Sequence, residues 1–283
     1  MNQTGRASCL IDLHTHSTCS DGSMTPAALV RHAKAAGLSA VAVSDHDTAD
    51  GTAEAVRTGR EVGIEVIPAI ELSAQSDTET HILGYFIDPD SPVLREAVGC
   101  IRAVRTERIG ETCVKLREHG VDVTLGEVKA VAGGGILCRA HVARIMTEKG
   151  FCPSPKEAFR VWLNVGCPAY SDAQALTDAE AISLIRDAGG AAYLAHLHLT
   201  KKTPDELDAF VARLAREGLA GLEGYYTDYT PQGEEQVRSL AEKYGLKRSG
   251  GTDFHGSFKP HIGIGCGGGR LAVPYAVLDA MRR

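Results

Sequence analysis

The chain has 283 residues, 43% hydrophobic and 23% charged, enough to bury one large core or one core plus a small insert. A formal net charge of −6 argues against broad attraction to nucleic acid or an anionic membrane, though bound divalent cations would turn a local cleft positive. No apolar run approaches a membrane span, and Met1 to Ser8 lacks the apolar region of a signal peptide. Eight cysteines without C-x-x-C pairing fit reduced thiols, so a cytoplasmic location is expected.

Short apolar segments alternate with helical patterns from the start. Cys9 to Leu13 reads as a strand running into His14-Thr15-His16. Thr25 then caps a helix with Pro26 in its first turn and Gly37 as its stop. Ala40 to Val43 is an apolar strand ending on Asp45-His46-Asp47, followed by a helix from Glu54 to Val62 and a strand from Ile64 to Ile70 ending on Glu71. His81 to Tyr85 continues the pattern. From Ser91 to Cys167 the rhythm breaks into helices at Cys100–His119, Leu125–Val131, Arg139–Lys149 and Pro155–Leu163. Gly133-Gly134-Gly135 is a loop without phosphate-cradle spacing. The rhythm then resumes with a helix Asp178–Ala188, a strand Ala191–Ala195 ending at His196, a helix Pro204–Arg216, a strand Ala220–Tyr225 and a helix Gly233–Tyr244. Repeated strand–helix units predict a parallel sheet closed into a β/α barrel, residues 1–90 and 168–283, interrupted by a helical insert, 91–167. Cys9, Cys100 and Cys113 occupy apolar positions and are expected to be buried free thiols.

The chemistry is carried by histidines and acids at the ends of the apolar segments. A single histidine on an apolar face is ordinarily a satisfied core residue. Here His14, His16, His46, His81, His196 and His255, with Asp21, Glu71 and Asp253, all fall at or just after apolar stretches, at the expected C-terminal ends of barrel strands. His-x-His on an extended chain puts both imidazoles on one side. Nine donors exceed one coordination sphere, so about two or three ions are implied, with a bridging carboxylate. Zinc, manganese and iron all accept such ligands. Ions roughly 3.5–4 Å apart can share a hydroxide while binding the group it attacks, which suits phosphoester hydrolysis.

These motifs resemble the PHP (polymerase and histidinol phosphatase) family. They are His14-Thr15-His16, Ser20-Asp21-Gly22, Asp45-His46-Asp47, Glu71-Leu72-Ser73, His81, Ala195-His196 and Thr252-Asp253-Phe254-His255-Gly256. Cys138 to Arg144 and Pro168-Ala169-Tyr170 are similar to stand-alone members related to the bacterial proteins acting on nucleoside phosphates. The resemblance implies a distorted seven-stranded β/α barrel with a trinuclear metal site. His14, His16, Glu71 and Asp253 would hold one ion; Glu71 would bridge to a second, completed by His81 and His196; Asp21, His46 and His255 would hold the third. Asp45 and Asp47 would orient imidazoles from behind.

Glu71, Asp253 and His196 are thus the candidate catalytic residues, and Arg139 and His141 the candidate phosphate anchors, because arginine offers a bidentate fork to phosphate oxygens. Lys259 and His261 are candidates for a second phosphate contact. The sequence departs from the family pattern at Leu197-His198, at Cys167, where many relatives carry lysine, and at Glu223-Gly224-Tyr225, expected to affect one pocket wall at most. The implied activity is a metal-dependent phosphoesterase, with a bridging hydroxide as nucleophile, acting on a small nucleoside phosphate such as a nucleoside 3′,5′-bisphosphate or monophosphate. Rival readings are a histidinol-phosphate phosphatase, a 5′→3′ exonuclease on short RNA, and a metal-stabilised module that binds nucleic acid or a partner without catalysis. No obligate protein partner is expected.

Overall fold

The computed structural model describes residues 9–75, 79–171 and 176–283; the Met1 to Ser8 segment lies outside them. Strand β1 (Leu10–Asp12) leads to α1 (Pro26–Ala35), β2 (Ala40–Val43) and α2 (Thr52–Val62). Strands β3 (Glu65–Gln75) and β4 (Glu79–Tyr85) follow. Next come α3 (Pro92–Glu118), α4 (Leu125–Ala132), α5 (Arg139–Glu148) and α6 (Pro155–Ala158), which runs into a π turn at Phe159–Leu163. The second half contains α7 (Asp178–Asp187), β5 (Ala191–Leu194), α8 (Pro204–Glu217), β6 (Gly221–Tyr226), α9 (Pro231–Tyr244), β7 (Lys247–Gly251), β8 (Val273–Pro274) and α10 (Tyr275–Met281). The starts are set by local chemistry: Thr25 Oγ1 accepts the Ala28 N–H at α1, and capping boxes pair Thr124 with Glu127, Thr177 with Glu180 and Thr203 with Glu206.

Among the described residues eight strands form one sheet, ordered β7-β6-β5-β4-β3-β2-β1-β8, curled into a nearly closed, distorted barrel. The eighth, beyond the seven expected, is the two-residue β8 antiparallel to β1. The sheet is mixed, since β4 runs antiparallel to both β3 and β5. Only positions 76–78 separate Gln75 from Glu79, and a connection that short cannot make a parallel crossover. His81 therefore stands near the beginning of its strand, and Glu71 in the middle of β3, instead of at C-terminal strand ends.

Period-two alternation sorts the two faces. Ile67, Ala69, Leu83, Tyr85 and Tyr193 pack together inside, while Ile70, Leu72, Ile82 and Leu194 pack outward against α7 and α8. Glu71 shares the inner phase with Ala69, and His81 with Leu83, so both point into the barrel. The helices between β4 and α7 gather around their own apolar cluster, which includes Ile109, Leu116, Val142 and Met146. Helix α3 starts about two turns before the expected Cys100, at Pro92, and its Leu94 and Ile101 belong to the barrel cluster. Cys113 is buried as expected, but Cys100 lies on the exposed side of α3 and Cys9 is half-buried.

The seam between β1 and β7 closes above the strands. Leu13 N–H donates to Gly250 O at 3.1 Å, Asp253 N–H to His14 O at 2.8 Å and His16 N–H to Phe254 O at 2.9 Å. A Cβ on Gly251 would lie 2.3 Å from the His14 backbone nitrogen. Gly251→Ala should therefore cost about 2 kcal/mol or more through overpacking against backbone. By contrast Gly99→Ala, on an open face of α3 with nothing within 4 Å, should gain about 0.5–1 kcal/mol from helix propensity. Denaturant unfolding of both variants checks the contrast; equal stabilities would refute the close-approach argument.

Candidate metal centre

The loop after β1 is pinned from below by Asp12. Its buried carboxylate accepts the Thr252 N–H at 2.9 Å, the Thr252 hydroxyl at 2.6 Å and the Gly265 N–H at 2.8 Å, tying the His14-Thr15-His16 run to the Asp253 loop. Backbone strain gathers at the same end. Five non-glycine residues among those described have positive φ, and Asp47 (50°), His196 (27°) and Asp253 (57°) belong to the site or its border.

Glu71 is the centre. Its Oε2 lies 3.2 Å from His14 Nε2, His16 Nε2 and His46 Nδ1, and its Oε1 lies 2.9 Å from His81 Nδ1 and 3.0 Å from His196 Nε2. One carboxylate thus faces two groups of imidazoles, one at each oxygen. Asp253 Oδ1 is 3.2 Å from His16 Nε2, and Asp21 Oδ1 is 3.2 Å from His255 Nε2. All nine predicted donors converge. Three sets of them bring their ligand atoms close enough for an ion: His16, Asp21, His46 and His255; His14, His16 and Asp253; and His46, Glu71 and His81.

The donors fit divalent cations on chemical grounds. His16 Nδ1 and Nε2, His46 Nδ1 and Asp21 Oδ1 are buried and form no aligned hydrogen bond, even where an opposite group lies 3.2 Å away, and each such group costs about 1–3 kcal/mol if left unsatisfied. Burial opposes ionisation of Glu71, yet His46, His14 and His81 hold its carboxyl well below the ordinary range. Burial likewise opposes Asp21, which His255 and His46 keep well below it, and Asp253, which Lys259 and His255 keep well below it. Burial lowers His46 and His255 toward the neutral imidazole, whereas against the same burial the Glu71, Glu223 and Asp253 carboxylates raise His14 and His16. Three buried His and carboxylate clusters, linked to one another through His16 and His46, are consistent with a polynuclear site.

Behind the donors the arrangement differs from expectation. Asp45 faces the His16 ring only electrostatically; its hydrogen bonds are accepted from the Ser17 N–H at 2.7 Å and the Ser17 and Ser20 hydroxyls at 2.6 Å, which shapes the loop carrying Asp21. Asp47 pairs with Arg105 and accepts the Ser73 N–H at 2.7 Å. The carboxylate that orients a ligand imidazole is Glu223, fully buried on β6: Oε1 lies 2.8 Å from His14 Nδ1, and Oε2 accepts the backbone N–H of His196 at 2.7 Å. A lone acid inside the apolar Ala220–Tyr225 strand was the available signal, and its effect reaches past a pocket wall. The bulge between Glu223 and Tyr225, around Gly224, brings Tyr226 to the site as well, its hydroxyl donating to Asp253 Oδ2 at 3.0 Å.

The cluster opens into a cavity of about 1010 Å³ whose wall also includes Arg105, Arg139, Arg144 and Lys156 of the inserted helices. Arg139 lies over the rings of Tyr170 (5.6 Å) and Phe159 (5.8 Å) and donates to Leu163 O at 3.1 Å. His141 lines the same wall, with Nδ1 accepting the Cys138 N–H at 3.2 Å and its ring hydrogen-bonded to the Ser20 backbone. Lys259 donates to Asp253 Oδ2 at 2.7 Å and so sits at the donor cluster; His261 lines the cavity. His198 packs on Tyr226 and Tyr229, and Cys167 turns its thiol toward Arg160 O; neither lines the cavity.

A polynuclear donor set at the open end of a barrel is the working part of a metal-dependent hydrolase. The PHP domain family matches residues 12–245, and the chain belongs to that family. It is 33% identical over 245 residues to a 5′-3′ exoribonuclease of Haemophilus influenzae, covering 86% of this chain and 89% of the relative. It is 30% identical over 247 residues to a 3′,5′-nucleoside bisphosphate phosphatase of Chromobacterium violaceum, covering 87% of each. A crystal structure from Bifidobacterium adolescentis, assigned as a metal-dependent phosphoesterase, superposes with a TM-score of 0.85 at 27% identity, covering 96% of this chain and 95% of that one. The chain is a metal-dependent phosphoesterase. No helix of the described residues is long and apolar enough to cross a membrane.

Glu223 supplies the first test of the centre. Glu223→Gln keeps the shape but weakens the hold on His14 and His196, and losses of such outer partners typically cost about 10- to 100-fold in metal affinity. Metal titration of the folded variant should show a drop of that size. Unchanged affinity would remove Glu223 from the centre.

Proposed function

We propose that the chain hydrolyses the phosphate ester of a small nucleoside phosphate, a nucleoside 3′,5′-bisphosphate or monophosphate. The observation that carries this reading is a single cavity shared by the donor cluster and by arginines of the insert. Its volume is at the upper end for small-molecule sites and exceeds what one phosphoryl group needs. The name of the Chromobacterium violaceum relative supports the same substrate class. Residues 1–90 and 168–283 are read as the catalytic barrel and 91–167 as the insert over it. Eight free thiols favour a reducing, cytoplasmic setting.

His14, His16, Glu71 and Asp253 would hold one ion, Glu71, His81 and His196 a second, and Asp21, His46 and His255 a third. Two to three divalent ions of zinc, manganese or iron would supply charge neutralisation at the phosphoryl oxygens and activation of water. The chain's own groups do the positioning. Glu71, Asp253 and His196 converge where the reacting phosphoryl group lands. Arg139, steadied by Tyr170 and Phe159, anchors the distal phosphate, and His141 completes that wall. Lys259, held by Asp253, offsets negative charge at the cluster end, with His261 beside it on the cavity wall. A second reading, stepwise 5′→3′ hydrolysis of short RNA, is supported by the name of the Haemophilus influenzae relative.

Elemental analysis of protein purified with metal supplied and no chelator should give at least two equivalents per chain. One equivalent with full activity would overturn the polynuclear assignment. In protein verified as folded, Glu71→Gln should lower turnover about a hundredfold or more, as loss of a principal electrostatic stabiliser does; wild-type turnover would remove Glu71 from the reaction.

The substrate prediction follows from Arg139. A charge-assisted bidentate contact contributes about 1.5–3 kcal/mol. A nucleoside 3′,5′-bisphosphate should therefore exceed the matching monophosphate about ten- to a hundredfold in kcat/KM, and Arg139→Ala should erase most of that ratio. Histidinol phosphate should be poor. Highest efficiency with histidinol phosphate, or an equal loss on every substrate in Arg139→Ala, would overturn the anchor; highest efficiency on short RNA would favour the second reading.

A further inference from the structure

Arg105, on α3, is neither a metal donor nor one of the proposed anchors, yet it touches the supports of both. Its Nε donates to Asp47 and its Nη2 to Ser73 Oγ at 2.7 Å. Its Nη1 donates to Leu137 O at 3.2 Å and approaches Cys138 Sγ at 3.6 Å. The first two contacts lie on the donor side. Asp47 follows His46, holds positive φ and donates its N–H to Glu71 O at 2.9 Å; Ser73 is two residues beyond Glu71 on β3. The other two lie on the insert side, because Leu137 and Cys138 lead directly into Arg139 and His141 at the start of α5. One guanidinium therefore joins a segment carrying the donors to the segment carrying Arg139 and His141, and it also lines the cavity. A planar fork with five donors can serve three acceptors in fixed directions, whereas a lysine ammonium supplies charge without that geometry.

We infer that Arg105 is a positioning residue that sets the placement of the Arg139 anchor relative to the Glu71 cluster, and so the spacing of the two phosphates the enzyme selects. This rests on the two-phosphate reading of the cavity. Misplacement by about 1 Å can cost a hundredfold in rate, so loosening the tie should act on selectivity and not only on rate.

The test uses the metal-loaded full chain and the ratio of kcat/KM for a nucleoside 3′,5′-bisphosphate over p-nitrophenyl phosphate. Arg105→Lys should lower that ratio about tenfold or more, and should lower it no further when added to Arg139→Ala, since the anchor it positions is already gone. Hydrogen exchange supplies a readout without substrate: amides of residues 136–141 should exchange about tenfold faster in Arg105→Lys, as a local opening does. A ratio that is unchanged, or that still falls in the Arg139→Ala background, overturns the inference. A wild-type ratio near one sinks the two-phosphate reading instead. Exchange then decides alone: faster exchange at 136–141 sustains the tie, and unchanged protection ends it. Should Arg105→Lys fail to fold, Ser73→Ala, which removes one contact, decides. A ratio reduced about threefold supports the tie; no reduction overturns it.

Discussion

A fully buried carboxylate with imidazoles at both oxygens is the constraint on which the rest depends. Glu71 sits in the middle of β3 with five histidine rings within 3.2 Å. Burying that much polar surface in a barrel of alanine, isoleucine and tyrosine is unfavourable unless every group has a partner or an ion. The surrounding structure is arranged to tolerate it: Asp12 ties two loops beneath the cluster, Glu223 holds two of the ligands from behind, and Gly251 leaves the seam narrow enough for β7 to reach His14.

Much of this was legible in the chain. Clustered histidines and acids are rare within or just past apolar strands, so His14, His16, His46, Glu71, His81, His196 and Asp253 stand out against their neighbours. Asp21 and His255 were found through the short loops that carry them. The starts of α4, α7 and α8 are written in the chain too, because threonine followed three residues later by glutamate satisfies two backbone donors reciprocally. Insert helices α4 and α5 also fell near their expected bounds.

The unread part consists of contacts between distant residues with no periodic signature. Arg105 and Asp47 are 58 positions apart, and nothing near either marks the pair. Breaking such a buried pair by removing one partner typically costs about 3–5 kcal/mol, so its weight in the fold far exceeds its visibility. Glu223 was visible as an acid in a strand, but its partners lie on two other segments. The reversal of β4 was hidden for another reason. Alternation reports which face a residue occupies and says nothing of strand direction, and only the short link to β3 records the turn-back. Asp45 differs from the expectation because the Ser17 and Ser20 hydroxyls and the Ser17 N–H lie within reach of its carboxylate.

Helix α3 carries a consequence for how the chain divides. Its first turns place Leu94 and Ile101 in the barrel's apolar cluster, and its later turns place Ile109, Cys113 and Leu116 in that of the inserted helices. The border between the two hydrophobic centres thus falls along one continuous rod, between Ile101 and Ile109, and not in a linker. Excising residues 91–167 would strip Leu94 and Ile101 from the outer layer of the barrel. Recombination or trimming that respects the architecture has to cut within α3, past the third turn, and leave its opening stretch behind as part of the barrel wall.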